Sequence, residues 1–199
     1  VRYRKCWRPA ERRRRWHVLR APRFSIIGMR PLSPAFLFTN DRRSVTRYCP
    51  MVSRLIFRMP ATSAEVFEAF HNHDTRLRWD TLLKQATLDG GHRYPHVGAV
   101  SINVGRGWRG VFCLRTRFIA YDPPQLAAAT IDQPVGIFNE WSASIRHRDR
   151  DDGTSDLIYT FKLGLRPRWF HRLCVDAVTA IFEEETRRRF ESLAAFLRQ

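Results

Sequence analysis

From Val52 to Met59 polar and apolar residues interleave at the two-residue period of a strand. Pro60-Ala61-Thr62-Ser63-Ala64-Glu65 follows, and a threonine three residues ahead of a glutamate predicts a capping box that opens a helix over 64–71. That helix turns Val66, Phe67 and Phe70 inward, and a short second helix is expected over 74–80. Strand patterns return around 84–88, 98–104, 111–121, 125–131, 137–147 and 155–163. Turn sequences separate most of them: Gly90-Gly91, Gly105-Arg106-Gly107, Asp122-Pro123-Pro124 and Asp151-Asp152-Gly153. The chain ends in a helical pattern over 167–199, about 50 Å at 1.5 Å per residue. On it Cys174, Val178, Phe182, Phe190, Leu193 and Leu197 recur mostly at three- and four-residue steps. No other helix is long enough to cover that stripe, so the strands must. The expected fold is α+β: a curved antiparallel sheet of about seven strands wrapped on a long C-terminal helix, an arrangement that usually encloses a cavity.

Strand parity locates candidate cavity residues, because alternate side chains share a face. Over 111–121 the inward row is Phe112, Leu114, Thr116, Phe118 and Ala120, with Arg115 and Arg117 outward. Over 137–147 it is Ile137, Asn139, Trp141, Ala143 and Ile145, with Glu140, Ser142, Ser144 and Arg146 toward water. Over 155–163 it is Leu157, Tyr159, Phe161 and Leu163. Three polar groups, Thr116, Asn139 and Tyr159, thus enter apolar rows, where each would cost about 1–3 kcal/mol if left unpaired. Either they bond one another and trapped water, or they line a ligand cavity. The candidate ligand-binding set is Thr116, Phe118, Asn139, Trp141, Tyr159 and Phe161, with Val178 and Phe182 from the final helix.

The order of elements, with Val66-Phe67-Glu68-Ala69-Phe70 followed by Arg78-Trp79-Asp80, resembles the START-like SRPBCC superfamily. Tyr121-Asp122-Pro123-Pro124 between two strands and the ending Glu185-Thr186-Arg187-Arg188-Arg189-Phe190-Glu191-Ser192-Leu193 resemble it too. The superfamily includes polyketide cyclase/dehydrase-like proteins, plant pollen-allergen-like proteins and lipid-transfer domains. The likeness covers about residues 51–199. It implies a helix-grip fold with a cavity between sheet and helix, and no particular reaction, since members range from carriers to cyclases.

Charge divides the chain unevenly. Residues 1–50 hold 14 Lys+Arg against two acids, a net of +12, whereas 51–199 net only +4. The leader is therefore read as one of three things: a disordered basic arm for nucleic acid or an anionic surface, an organelle transit peptide, or translated upstream sequence with the natural start at Met51. The third is favoured by three lysines against 32 arginines, a bias of GC-rich coding DNA. Nucleic-acid binding rests on this leader alone and is not the expected role of 51–199. Four scattered cysteines, Cys6, Cys49, Cys113 and Cys174, fit neither a disulfide framework nor a Cys-x-x-Cys metal site, and suit a cytoplasmic setting. No run of 18 apolar residues occurs.

Other motifs read blandly. Gly105-Arg106-Gly107-Trp108-Arg109-Gly110 spells a dinucleotide fingerprint, but a strand and not a helix follows, so a hairpin loop is expected. His71 and His73 at a helix end are taken as a solvated junction, and His92 and His96 as loop residues without a third ligand; no metal or cofactor is expected. Asp80 is taken as a cap, Trp79 as core, and the runs 183–185 and 187–189 as a solvated helix face. Binding of a small hydrophobic molecule is the favoured function. The alternative is cyclase/dehydrase chemistry with Tyr159 or Asn139 polarising a carbonyl, although no carboxylate or histidine is assigned to the interior.

Overall fold

A computed structural model of the chain describes residues 50–106 and 113–199. The basic leader and most of the Gly105–Gly110 segment, as well as Phe112, lie outside these residues. The chain divides into units Val1–Thr46 and Arg47–Gln199, and every described residue belongs to the second. That unit contains β1 (Met51–Met59), α1 (Ser63–His71), α2 (His73–Trp79), β2 (Leu83–Leu88) and β3 (Val100–Gly105). After these come β4 (Cys113–Asp122), β5 (Leu126–Ile131), β6 (Phe138–Asp149), β7 (Ser155–Leu165) and α3 (Arg168–Phe196).

The strands form one seven-stranded antiparallel sheet in the order β1-β7-β6-β5-β4-β3-β2. The first strand therefore pairs with the last, Leu55 opposite Tyr159, and the intervening hairpins fill the sheet. Local chemistry explains the entry to the helices. The Thr62 hydroxyl accepts from the Glu65 amide while the Glu65 carboxylate accepts from the Thr62 amide, completing the capping box. Asn72 then ends α1 and starts α2, its side-chain oxygen accepting from the Asp74 amide.

One face of the sheet grips α3. Leu157, Tyr159, Phe161 and Leu163 of β7 are buried against Phe190 and Leu193, with Cys174, Val178, Phe182 and Leu197 packed at the margin. The apolar stripe expected on α3 is the face that docks. Phe190 is the hub: its ring centroid lies 4.8 Å from Phe57 and 5.5 Å from Tyr159.

Bulges in β4 and β6 interrupt the parity of their inward rows. In β4 the register shifts between Phe118 and Ala120, leaving Ile119 exposed and bringing Tyr121, rather than Ala120, onto Phe67 at 5.4 Å. In β6 it shifts between Phe138 and Glu140, so Asn139 is the extra residue. Phe138 packs on the core, while Asn139 and Ile137 are exposed. The inward placement of Asn139 and Ile137 is thereby corrected, because alternation cannot be carried through a bulge.

Candidate functional site

A pocket of about 170 Å³ lies where β2 to β7 face α1, α2 and α3. Its apolar wall includes Phe70, Phe118, Trp141, Ile145 and Phe182, with small residues Ala127, Ala129 and Ala143 leaving the space. Of the candidate residues, Thr116, Phe118, Trp141, Tyr159 and Phe182 come together on this pocket. Phe161 stands behind the wall, its ring 4.7 Å from that of Phe182 and 5.9 Å from Tyr159. Val178 packs at the edge of the core and is not part of the lining, and Asn139 is away from it on the exposed bulge.

Thr116 and Tyr159 bring hydroxyls to the pocket, and neither hydroxyl has a hydrogen-bond partner among the described residues. Burial pushes the Tyr159 phenol up to about 12 despite the opposing charges of Arg189 and Arg76, so it remains a donor at neutral pH. The Trp141 indole N–H is also buried and without a partner among the described residues.

Histidines take a larger part than their helix-end position suggested. His71 and His73 are buried, not solvated. His71 lies one turn beyond Phe67 on α1, its ring 4.1 Å from the Phe67 ring, and it lines the pocket. Its Nδ1 donates to the Phe67 carbonyl at 3.0 Å, which leaves Nε2 as an acceptor. Burial, helped by the charge of Arg76, holds His71 down at about 3. His73 is held at about 4 by burial and Arg76; its Nδ1 donates to the His71 carbonyl, and its Nε2 meets the Ser101 hydroxyl at 3.2 Å. Ser101 in turn accepts from the Asn103 amide at 3.0 Å, so a polar chain runs into the pocket wall. His147 is a third buried, neutral imidazole, packed edge-on to Phe67 and held at about 4 by burial.

A charged cluster closes one side. Asp80, the C-cap of α2, has a side chain 0% exposed. Its Oδ2 accepts from Arg76 Nε at 3.2 Å and from Arg189 Nε and Nη2 at 2.9 and 2.6 Å. Burial alone would push the Asp80 carboxyl up, but Arg189 and Arg76 together outweigh it and hold it below its ordinary value. Both arginines line the pocket. Arg189 therefore leaves the solvated face expected of it, being 17% exposed, while Arg188 does pair with Glu184 at the surface. Trp79, donating its indole N–H to the Ala69 carbonyl at 2.9 Å, is core as expected. Among the described residues no cluster of three or more His, Cys, Asp or Glu is placed to hold a metal ion. No described helix is long and apolar enough to cross a membrane.

A family model described as polyketide cyclase / dehydrase and lipid transport matches residues 56–197. No curated protein sequence matches the chain. Among solved structures, Ara h 8.0201 is similar at a TM-score of 0.57 with 14% identity, over 74% of this chain and 97% of that one. XoxI from Bacillus cereus is similar at 0.56 with 11% identity, over 73% and 95%. A truncated norcoclaurine synthase from Thalictrum flavum is similar at 0.54 with 11% identity, over 77% and 98%. At these identities the structural likeness is one of fold.

Proposed function

The chain belongs to the polyketide cyclase / dehydrase and lipid transport family, and within it we propose that this protein binds a small, mostly apolar molecule in the pocket between sheet and C-terminal helix. The observation that carries this reading is a pocket with an apolar wall and two uncommitted hydroxyls, Thr116 and Tyr159. A few convergent polar groups in an apolar cleft are the usual make-up of a small-molecule site. At about 170 Å³ the space is close to that of an engineered apolar cavity of about 150 Å³ that takes up benzene. The ligand is accordingly of one-ring or short-chain size, with a polar group for Thr116 and Tyr159.

Binding is favoured over cyclisation or dehydration by the state of His71. It is the imidazole on the pocket, and at about 3 it is a poor proton acceptor at neutral pH, where a general base works best near the operating pH. His71 Nε2 and the Tyr159 hydroxyl are better suited to orient a ligand by hydrogen bonds. A cytoplasmic setting, expected from the cysteine pattern, is part of the same reading.

Native mass spectrometry of the protein purified without denaturation tests it. The expected result is a protein ion carrying a small non-covalent adduct, or acquiring one on addition of benzyl alcohol. A bare protein ion under both conditions would overturn the reading.

A further inference from the structure

We propose that the pocket takes its ligand as a monoanion: an apolar molecule with a single carboxylate, whose charge meets Arg76 while its body lies against Trp141 and Phe182. The inference rests on the ligand-binding reading above and adds the chemical class.

Two guanidiniums, Arg76 from α2 and Arg189 from α3, share one carboxylate, which leaves one positive charge in excess on the pocket wall. The excess falls on Arg76. Arg189 gives two N–H groups to Asp80, whereas Arg76 gives only its Nε, at the longest of the three distances. Its terminal nitrogens have no hydrogen-bond partner among the described residues, although the side chain is only 8% exposed. A buried cation with idle donors is costly unless something pairs with it.

The remaining neighbours do not supply that pairing. The Phe70 ring lies 4.6 Å from Arg76 and 5.1 Å from Arg189, which favours the cations but accepts none of their in-plane N–H groups. His71 and Tyr159 are the other titratable groups on the pocket, and both are neutral at pH 7, burial being the main cause in each. Arg76 itself, lowered to about 10 by burial and Arg189, keeps its charge there. A carboxylate matches the two terminal nitrogens of a guanidinium in a fork, and the Tyr159 hydroxyl stands ready as a further donor. A single excess charge suits a monoanion better than a dianionic phosphate. Phe70, Leu114, Phe118, Trp141, Ile145 and Phe182 make most of the rest of the wall apolar, which favours an acid with an apolar body over a fully polar one.

The test is calorimetric titration of the full chain at pH 7 with benzoate against benzamide, and octanoate against octanamide. The two pairs separate ring acids from chain acids. Each pair holds size nearly constant while removing the charge. At least one carboxylate is expected to bind tenfold or more tightly than its amide. Arg76→Gln, with its fold checked by circular dichroism, is expected to erase that ratio, and Arg76→Lys to retain part of it. If R76Q does not fold, the wild-type ratio and the R76K protein decide. Equal affinity for acid and amide in the wild type would overturn the inference and leave the apolar site intact. So would a preference that persists in folded R76Q, since it would belong to the general basic charge of the chain. Binding of none of the four probes would overturn both readings.

Discussion

Asp80→Asn isolates the charge of the buried cluster, because the amide keeps the shape of the carboxylate and its place at the end of α2. The carboxylate accepts three N–H groups on one oxygen, at 3.2, 2.9 and 2.6 Å, and its side chain is fully buried. Breaking a buried ion pair from one side costs about 3–5 kcal/mol, since the partner charge is left without compensation. Arg189 retains some access to water, so relaxation of its side chain puts the expected loss near the lower end, about 3 kcal/mol. In a domain whose whole stability is about 5–15 kcal/mol this is a large fraction. Urea unfolding at pH 7 measures it, with the midpoint falling and the slope unchanged. The acid limb supplies an independent sign. A carboxyl held below its ordinary value stabilises the fold above 3.8 and loses that contribution as pH falls through its folded value, so this part of the acid dependence disappears in the variant. Arg58→Ala, which breaks an exposed pair with Asp152, serves as the control and leaves the midpoint unchanged. A cost for Asp80→Asn below about 1 kcal/mol would refute the view that this cluster ties α2 to α3.

Phe190→Ala, at the hub of the α3 packing, should cost about 3–5 kcal/mol, whereas Phe182→Ala on the pocket wall should cost less than half as much; equal losses in chemical denaturation would mean that the pocket is closed core. Asn139→Leu should leave both stability and probe binding within error, and a tenfold loss of binding would return that residue to the site. Stability should fall as pH drops from about 6.5 toward 3, because the unfolded chain protonates the imidazole of His71 while the fold, holding it at about 3, does not. His73 and His147, both at about 4, act in the same sense, and His71→Gln should flatten the slope; an unaltered slope would contradict the buried neutral state.

Local and periodic features were legible in the sequence. The Thr62–Glu65 box, the Leu157 to Leu163 row and the α3 stripe each depend on spacing within one element, and each takes the form that spacing implies. What escaped depends on register and on distant pairing. Asn139 has the right parity by count, but the bulge beside Phe138 removes one step of alternation. Asp80 and Arg189 lie 109 residues apart, and no pattern local to either announces the other. A usable signal did exist. Arg189 stands seven residues from Phe182, a helical repeat that puts it on the buried stripe, and His71 stands four from Phe67. Residue type alone, a charge run and a histidine pair at a helix end, points both toward solvent, and position on the helix is the better guide. Several of the polar residues on these apolar faces, Arg189 and His71 among them, line the pocket.

The most direct test of the pocket as a binding site is a two-dimensional NMR titration that follows the indole N–H of Trp141 as benzyl alcohol is added. That group is buried, has no partner among the described residues, and belongs to a ring on the pocket wall. Trp169, 64% exposed on α3, provides the internal control. The Trp141 signal should shift and saturate while that of Trp169 stays still, and filling the pocket with Ala143→Phe should abolish the response. A Trp141 signal that does not move, or that moves in step with Trp169 without saturating, would contradict a ligand site between the sheet and the C-terminal helix.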